Sequence, residues 1–210
     1  MAFIETTQPG HATASVANMY ARQQAAWGYV PNYAKVFCHR PEVMARWGQL
    51  LAEIKRPMDR RTFELVTFVA AHELRNTACT LAHGKALREF LGDEQIIAIA
   101  AGKLDGVLND AEAALVRFAR QITRDASRVT SGQVQALRNF GYDDAEIFDI
   151  AATAAGRAFF TKVLDALGVE PDAPFRSLEP SFRGPLAVGR PIDVREPARL
   201  PEPQPSAAAG

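Results

Sequence analysis

The chain has 210 residues, 48 % of them hydrophobic, which is enough for one substantial core and too little for two independent ones. Acidic and basic residues balance at 24 each, so no overall field draws the protein to nucleic acid or to an anionic membrane, and neither is expected as a partner. No stretch approaches the roughly 20 unbroken apolar residues of a membrane span, the start MAFIETTQPG lacks a secretory signal, and two cysteines make no disulfide framework, so a cytoplasmic location is expected.

Residues up to Pro9-Gly10 read as an extended lead-in. Val16, Met19, Tyr20, Gln23 and Trp27 then recur at helical spacing until Gly28. After the turn Tyr29-Val30-Pro31-Asn32, a short helix carries Tyr33, Val36 and Phe37 to Cys38. Pro41 opens the next, with Val43, Trp47, Leu50, Leu51 and Ile54 as its apolar face. Asp59 is the predicted N-cap of a helix bearing Phe63, Val66, Ala70 and Leu74, and Asn76 caps another that ends near Leu91-Gly92. Asp93 caps a short helix with Ile96, Ile97 and Ile99 that stops at Gly102. Asn109 or Asp110 opens a helix with Leu115, Phe118 and Ile122, and Thr130 or Ser131 opens one with Val134 and Leu137. The last long helix runs from about Asp143 to Leu167, turning Ile147, Ile150, Ala151, Ala154, Ala158 and Leu164 inward.

No alternating pattern marks a strand and no internal repeat is present, so the fold class is all-α, with residues 1–170 as a single helical domain. Nine of the thirteen prolines lie between Pro171 and Pro205. Residues 171–210 are therefore predicted to be an extended, non-helical strap with a disordered end from Pro201 to Gly210. Phe175, Leu178, Phe182 and Leu186 are its candidate anchors.

Chemistry concentrates in Glu64 to His83, ELVTFVAAHELRNTACTLAH. With Asn76 as N-cap, Cys79 falls in the first turn of a helix, where unpaired N–H groups favour a thiolate. His83 follows one turn later on the same face, so Cys79 and His83 form a thiol and proton-relay pair. Glu64 sits between Phe63 and Leu65 on a mostly apolar helix, where an unpaired carboxylate is costly to bury and a paired role is favoured. The bland alternative makes Cys79 a small buried packing residue and His83 a surface one. His72-Glu73 begins like His-Glu-x-x-His, but Asn76 occupies the second His position and the zinc-protease reading fails. A mixed zinc site of Glu64, His72, Cys79 and His83 is chemically conceivable but not favoured. No phosphate-cradling Gly-rich loop and no Ser nucleophile elbow is present.

The segment resembles the carboxymuconolactone decarboxylase and alkylhydroperoxidase AhpD superfamily, whose redox members carry Glu, eleven residues, then Cys-x-x-Cys-x-x-x-His. Glu64, Cys79 and His83 match, and Asn76 stands where the first Cys would be. The likeness extends from Val30-Pro31-Asn32 to Leu164-Asp165-Ala166-Leu167-Gly168, and phrases such as Thr123-Arg124-Asp125 look like the peroxidase-related branch. It implies an AhpD-like helical bundle with an N-terminal helical extension and a homo-oligomer, trimer or hexamer. It also implies a site free of metal and cofactor that acts on a small molecule. Cys79 would attack a peroxide, with Glu64 as base through His83. Without a thiol at Asn76 the oxidised sulfur needs an external thiol reductant, or a distant Cys38 if folding brings it close. His72, Asn76, Phe68, Phe159 and Phe160 are the candidate pocket residues. The rival reading is a decarboxylase-type lyase or isomerase acting on a carboxylated lactone, with Glu64 and His83 as acid and base. A third is a non-catalytic helical scaffold.

Overall fold

Each helix must satisfy its first free backbone N–H groups, and here side chains at the predicted positions do so. In the computed structural model, which describes residues 2–200, the Asp59 carboxylate accepts from the Thr62 N–H at 2.9 Å and the Asn76 side-chain oxygen accepts from the Cys79 N–H at 2.9 Å. Asn109, Thr130 and Asp143 accept from Glu112, Gln133 and Glu146, whose side chains return the bond to the cap. Asp93 is the first helical residue and not a cap, because Gly92 holds that place with its N–H on the Gln95 side chain.

The resulting helices are α1 (Ala14–Trp27), α2 (Asn32–Val36), α3 (Pro41–Lys55), α4 (Arg60–Glu73), α5 (Thr77–Leu87), α6 (Asp93–Ala100), α7 (Asp110–Asp125), α8 (Ser131–Asn139), α9 (Asp144–Ala166) and α10 (Pro180–Leu186). Among the described residues there is no strand, so the all-α class holds. The predicted lead-in and the stretch at Cys38 contain 3-10 turns, Pro9–His11 and Phe37–His39.

α4 is buried from Phe63 to Ala71 without interruption and packs against α5, α7 and α9. A helix apolar all round belongs in the middle of a bundle. The main core gathers around it from α5 through α10, while a second cluster joins Met19 and Tyr20 of α1, Ala34 and Val36 of α2, Met44 of α3, Cys79 of α5 and Phe160 and Leu164 of α9. The N-terminal helices are thus laid over one flank of the bundle. α3 meets α9 only along one edge, where the Trp47 ring stacks on Phe160 at 4.3 Å. It therefore leaves Val43 and Leu50, predicted to face inward, substantially exposed.

The expected extended strap needs correction. Ala173–Ser177 forms a 3-10 turn and α10 is helical. Pro180 stands in its first turn, where no N–H is needed, and the helix is too short for Pro185 to break. Its Phe182 and Leu186 are fully buried over Gly84 of α5, where a Cβ would come within 3.1 Å of Leu186 and 3.4 Å of Phe182. Residues 187–200 do run as a strap. The Gly189 N–H donates to Thr77 Oγ1 at 2.8 Å, and a Cβ there would collide with the Arg75 carbonyl oxygen. The predicted disordered end, Pro201 to Gly210, lies outside the described residues.

If α10 belongs to the core, Phe182→Ala will lower unfolding stability by about 3–5 kcal/mol. Val194→Ala, at 75 % exposure on the strap, will stay within about 0.5 kcal/mol of the parent. Urea titration followed by circular dichroism reads both, and equal small losses would make α10 a surface appendage.

Candidate active site

The turn between α4 and α5 fixes the site. Arg75 takes a left-handed conformation, φ 58°, which reverses the chain in three residues and lays α5 back along α4. Asn76 then begins α5, its side chain bonded to the Cys79 N–H and to the Asp165 carboxyl. Asn76 is therefore a structural cap and does not line the cleft described below.

Folding α5 onto α4 brings Glu64 Oε2 to 2.6 Å from His83 Nδ1, with both side chains largely enclosed. Burial alone would raise the Glu64 carboxyl. The His83 hydrogen bond, aided by the charges of Lys55 and Arg157, outweighs it and holds the carboxyl below its ordinary value. Lys55 Nζ stands 3.9 Å from the other carboxylate oxygen. Burial, with Arg157 nearby, lowers the His83 pKa although Glu64 opposes this. The imidazole is thus neutral at pH 7, with Nδ1–H donating to Glu64 and the Nε2 lone pair left open.

Cys79 is 6 % exposed. Burial pushes its thiol above the ordinary value, against the pull of Arg157. The acidifying helix start read from the sequence is therefore overridden by desolvation. Sγ accepts from Arg157 Nη1 at 3.8 Å, and among the described residues it makes no hydrogen bond to the His83 ring.

Arg157 is a cleft-lining residue that the sequence reading does not single out. It is 4 % exposed, on the buried face of α9 with Ile150, Ala154, Thr161 and Leu164. The signal was present: one charged residue on an otherwise apolar stripe.

Cys79, His83 and Arg157 line one cleft of about 920 Å³, walled by Met19, Met44, Trp47 and Phe160, with Trp27 and Tyr33 also lining it. Of the other pocket candidates only Phe160 is there. Phe68 is wholly buried in the main core, Phe159 is 44 % exposed on the far side of α9, and His72 lies by Phe68 and Arg120, away from the cleft. The mixed zinc set is accordingly not brought together, and among the described residues no group of three or more His, Cys, Asp or Glu side chains is arranged to hold a metal ion. Cys38 is a free buried thiol whose Sγ accepts from the Thr7 N–H at 3.4 Å. Asp172, from the segment after α9, also lines the cleft, and burial pushes its carboxyl up to about 6 while a bond from the Asn32 N–H resists.

Solved structures share this architecture. A Ralstonia eutropha JMP134 protein described as an alkylhydroperoxidase AhpD core, peroxidase-related, matches with TM-score 0.71 and 19 % identity over 83 % of this chain and 94 % of its own. A peroxidase-related protein from Silicibacter sp. TM1040 matches with TM-score 0.66 and 19 % identity, covering 83 % and 97 %. The debrominase Bmp8 matches with TM-score 0.68 and 15 % identity, covering 86 % and 96 %. No protein-family model matches the sequence, and no curated protein does. The chain thus has the AhpD-like all-helical fold. Among the described residues no helix is long and apolar enough to cross a membrane.

Two outcomes follow from the electrostatics. In a Cys38→Ser background, iodoacetamide labelling of Cys79 will keep rising with pH past the ordinary thiol value, and a plateau near neutrality would contradict the burial argument. Asp172, raised in the folded state to about 6, contributes stability that is complete below the unfolded carboxyl's pKa and lost as pH rises through about 6. Asp172→Asn will therefore gain on the parent by up to about 3 kcal/mol between pH 4 and pH 7, at roughly 1.4 kcal/mol per pKa unit. Thermal unfolding at the two pH values measures it, and a constant gap would refute the shift.

Proposed function

We propose that this protein is a cofactor-free, thiol-dependent peroxidase of the AhpD-like kind, in which Cys79 reduces hydrogen peroxide or a small organic hydroperoxide. One observation carries the reading: thiol, imidazole and guanidinium line a single cleft, with the Glu64 carboxylate bonded behind the imidazole at 2.6 Å. The fold shared with peroxidase-related proteins supports it.

Sγ attacks the terminal peroxide oxygen, forming an S–O bond as the O–O bond breaks. The thiol proton passes through a cleft water or the peroxide itself to His83 Nε2 and on to the departing alkoxide. The products are Cys79 sulfenic acid and an alcohol, or water from hydrogen peroxide. Glu64 orients the imidazole and stabilises its transient positive charge, and the Arg157 N–H stabilises charge developing on sulfur. With Asn76 in place of a neighbouring thiol, an external thiol then condenses with the sulfenic acid to a mixed disulfide and water. A second thiol releases the free disulfide and restores Cys79.

One observation favours a different chemistry on the same residues. The carboxylate and imidazole are bonded to each other, while the thiol is desolvated and, among the described residues, bonded to Arg157 alone. In that reading Glu64 and His83 act as acid and base on a carbon acid, as a lyase or isomerase would, and Cys79 only packs.

Turnover of tert-butyl hydroperoxide with dithiothreitol separates the two. Cys79→Ser will abolish it and His83→Gln will lower it about 10²- to 10⁴-fold. Equal rates for Cys79→Ser and the parent would remove the sulfur from the mechanism and leave the acid–base reading.

A further inference from the structure

Arg157 is a buried cation with no carboxylate at ion-pair distance among the described residues. Its Nη1 meets the neutral Cys79 thiol at 3.8 Å, and its enclosed Nε has no hydrogen-bond partner among them. The rings of Trp47 and Phe160 lie 5.8 Å and 5.7 Å from its Cζ and shield it from bulk water. The acids around it are committed elsewhere. Glu64 turns one oxygen to His83 and the other toward Lys55, Asp165 bonds Asn76, and Asp172, which also lines the cleft, accepts from the Asn32 N–H at 2.7 Å. Among the described residues no carboxylate reaches ion-pair distance of Arg157. Buried charges in proteins are paired, because leaving one unpaired costs several kcal/mol. The cleft that Arg157 lines is where an anion from solution can meet the guanidinium.

We propose that Arg157 anchors the carboxylate of an apolar monocarboxylic acid, seated beside Cys79 with its hydrocarbon body against Trp47, Phe160 and Met44. A planar guanidinium fork matches a carboxylate, and one uncompensated cation in apolar walls calls for one negative charge. The cleft volume of about 920 Å³ holds an acid of eight carbons with room to spare. As a statement about substrate, an organic peroxide that carries a carboxylate, the proposal rests on the thiol-peroxidase reading. The anchor itself is independent of turnover.

The test uses octanoate and its uncharged counterpart octanamide, titrated against the full chain at neutral pH. Trp27 and Trp47 are the two tryptophans of the sequence and both line the cleft, so intrinsic fluorescence reports occupancy. The parent will bind octanoate about tenfold or more tightly than octanamide, the worth of one charge-assisted hydrogen bond. Cys79→Ser, which has no peroxidase chemistry, will keep that preference, and Arg157→Gln will bring the two affinities within about twofold. Arg157→Lys, retaining the charge, will keep part of it. Equal affinities in the parent, no saturable octanoate binding, or an undiminished preference in Arg157→Gln would each overturn the proposal. Should Arg157→Gln lose its helical circular dichroism, the acid-to-amide ratio of the parent and of Arg157→Lys decides the matter. Because no peroxide is present, failure here and failure of peroxide reduction are read separately.

Discussion

The bond between Glu64 and His83 is the constraint from which the site follows. A carboxylate placed in the middle of a helix buried from Phe63 to Ala71 has no access to water, and its ionised form needs a donor that the fold itself supplies. α5, reversed by Arg75 in its left-handed conformation and started by the Asn76 cap, brings the imidazole to 2.6 Å from it. Once the imidazole is tied down through Nδ1, its other nitrogen faces the cleft, and Cys79 sits one turn nearer the start of the same helix. The pair thus welds the two helices and sets the chemistry of the floor in one contact.

Around that contact the charges do not cancel evenly. Lys55 and His83 both lean on Glu64, and so the carboxylate is well served. Arg157 arrives from α9 with no acid at ion-pair distance among the described residues and finds a neutral sulfur. Burial and the guanidinium act in opposite directions on that sulfur, and burial wins. The result is a thiol kept protonated at rest beside a cation able to stabilise its anion.

How much of this was legible in the chain depends on how local each determinant is. The caps at Asp59, Asn76, Thr130 and Asp143 are read from a few adjacent residues, and all four hold. The spacing of Cys79 and His83 puts them on one helix face, but bringing Glu64 to them needs α4 and α5 folded back on each other, which the family resemblance supplies and spacing alone does not. Periodicity settles less when a helix touches its neighbours along one edge. Val43 and Leu50 continue the apolar pattern of α3, yet α9 covers only the face carrying Trp47. Proline content misled at α10, because a two-turn helix can accept Pro180 in its first turn and tolerate Pro185 near its end. Arg157 was visible as an interruption, but its meaning requires knowing that α9 crosses α5 at Cys79, a contact 78 residues apart in sequence.

A thiol with a raised pKa might be thought a poor nucleophile, but intrinsic reactivity of a thiolate increases with its basicity, with a Brønsted coefficient of roughly 0.4–0.5. What burial removes in standing thiolate it partly returns in the reactivity of the thiolate that forms, provided a base stands ready and the new charge is met. In the proposed peroxidase His83, neutral and oriented by Glu64, would be the base, and Arg157 would meet the charge. The same guanidinium cannot fully serve two anions. A carboxylate resting on it would leave the sulfur protonated, and a thiolate forming beside it would loosen the carboxylate. In the proposed reaction ligand and thiolate would thereby be coupled through one cation, the carboxylate yielding part of its hold on the guanidinium to the sulfur as the S–O bond forms.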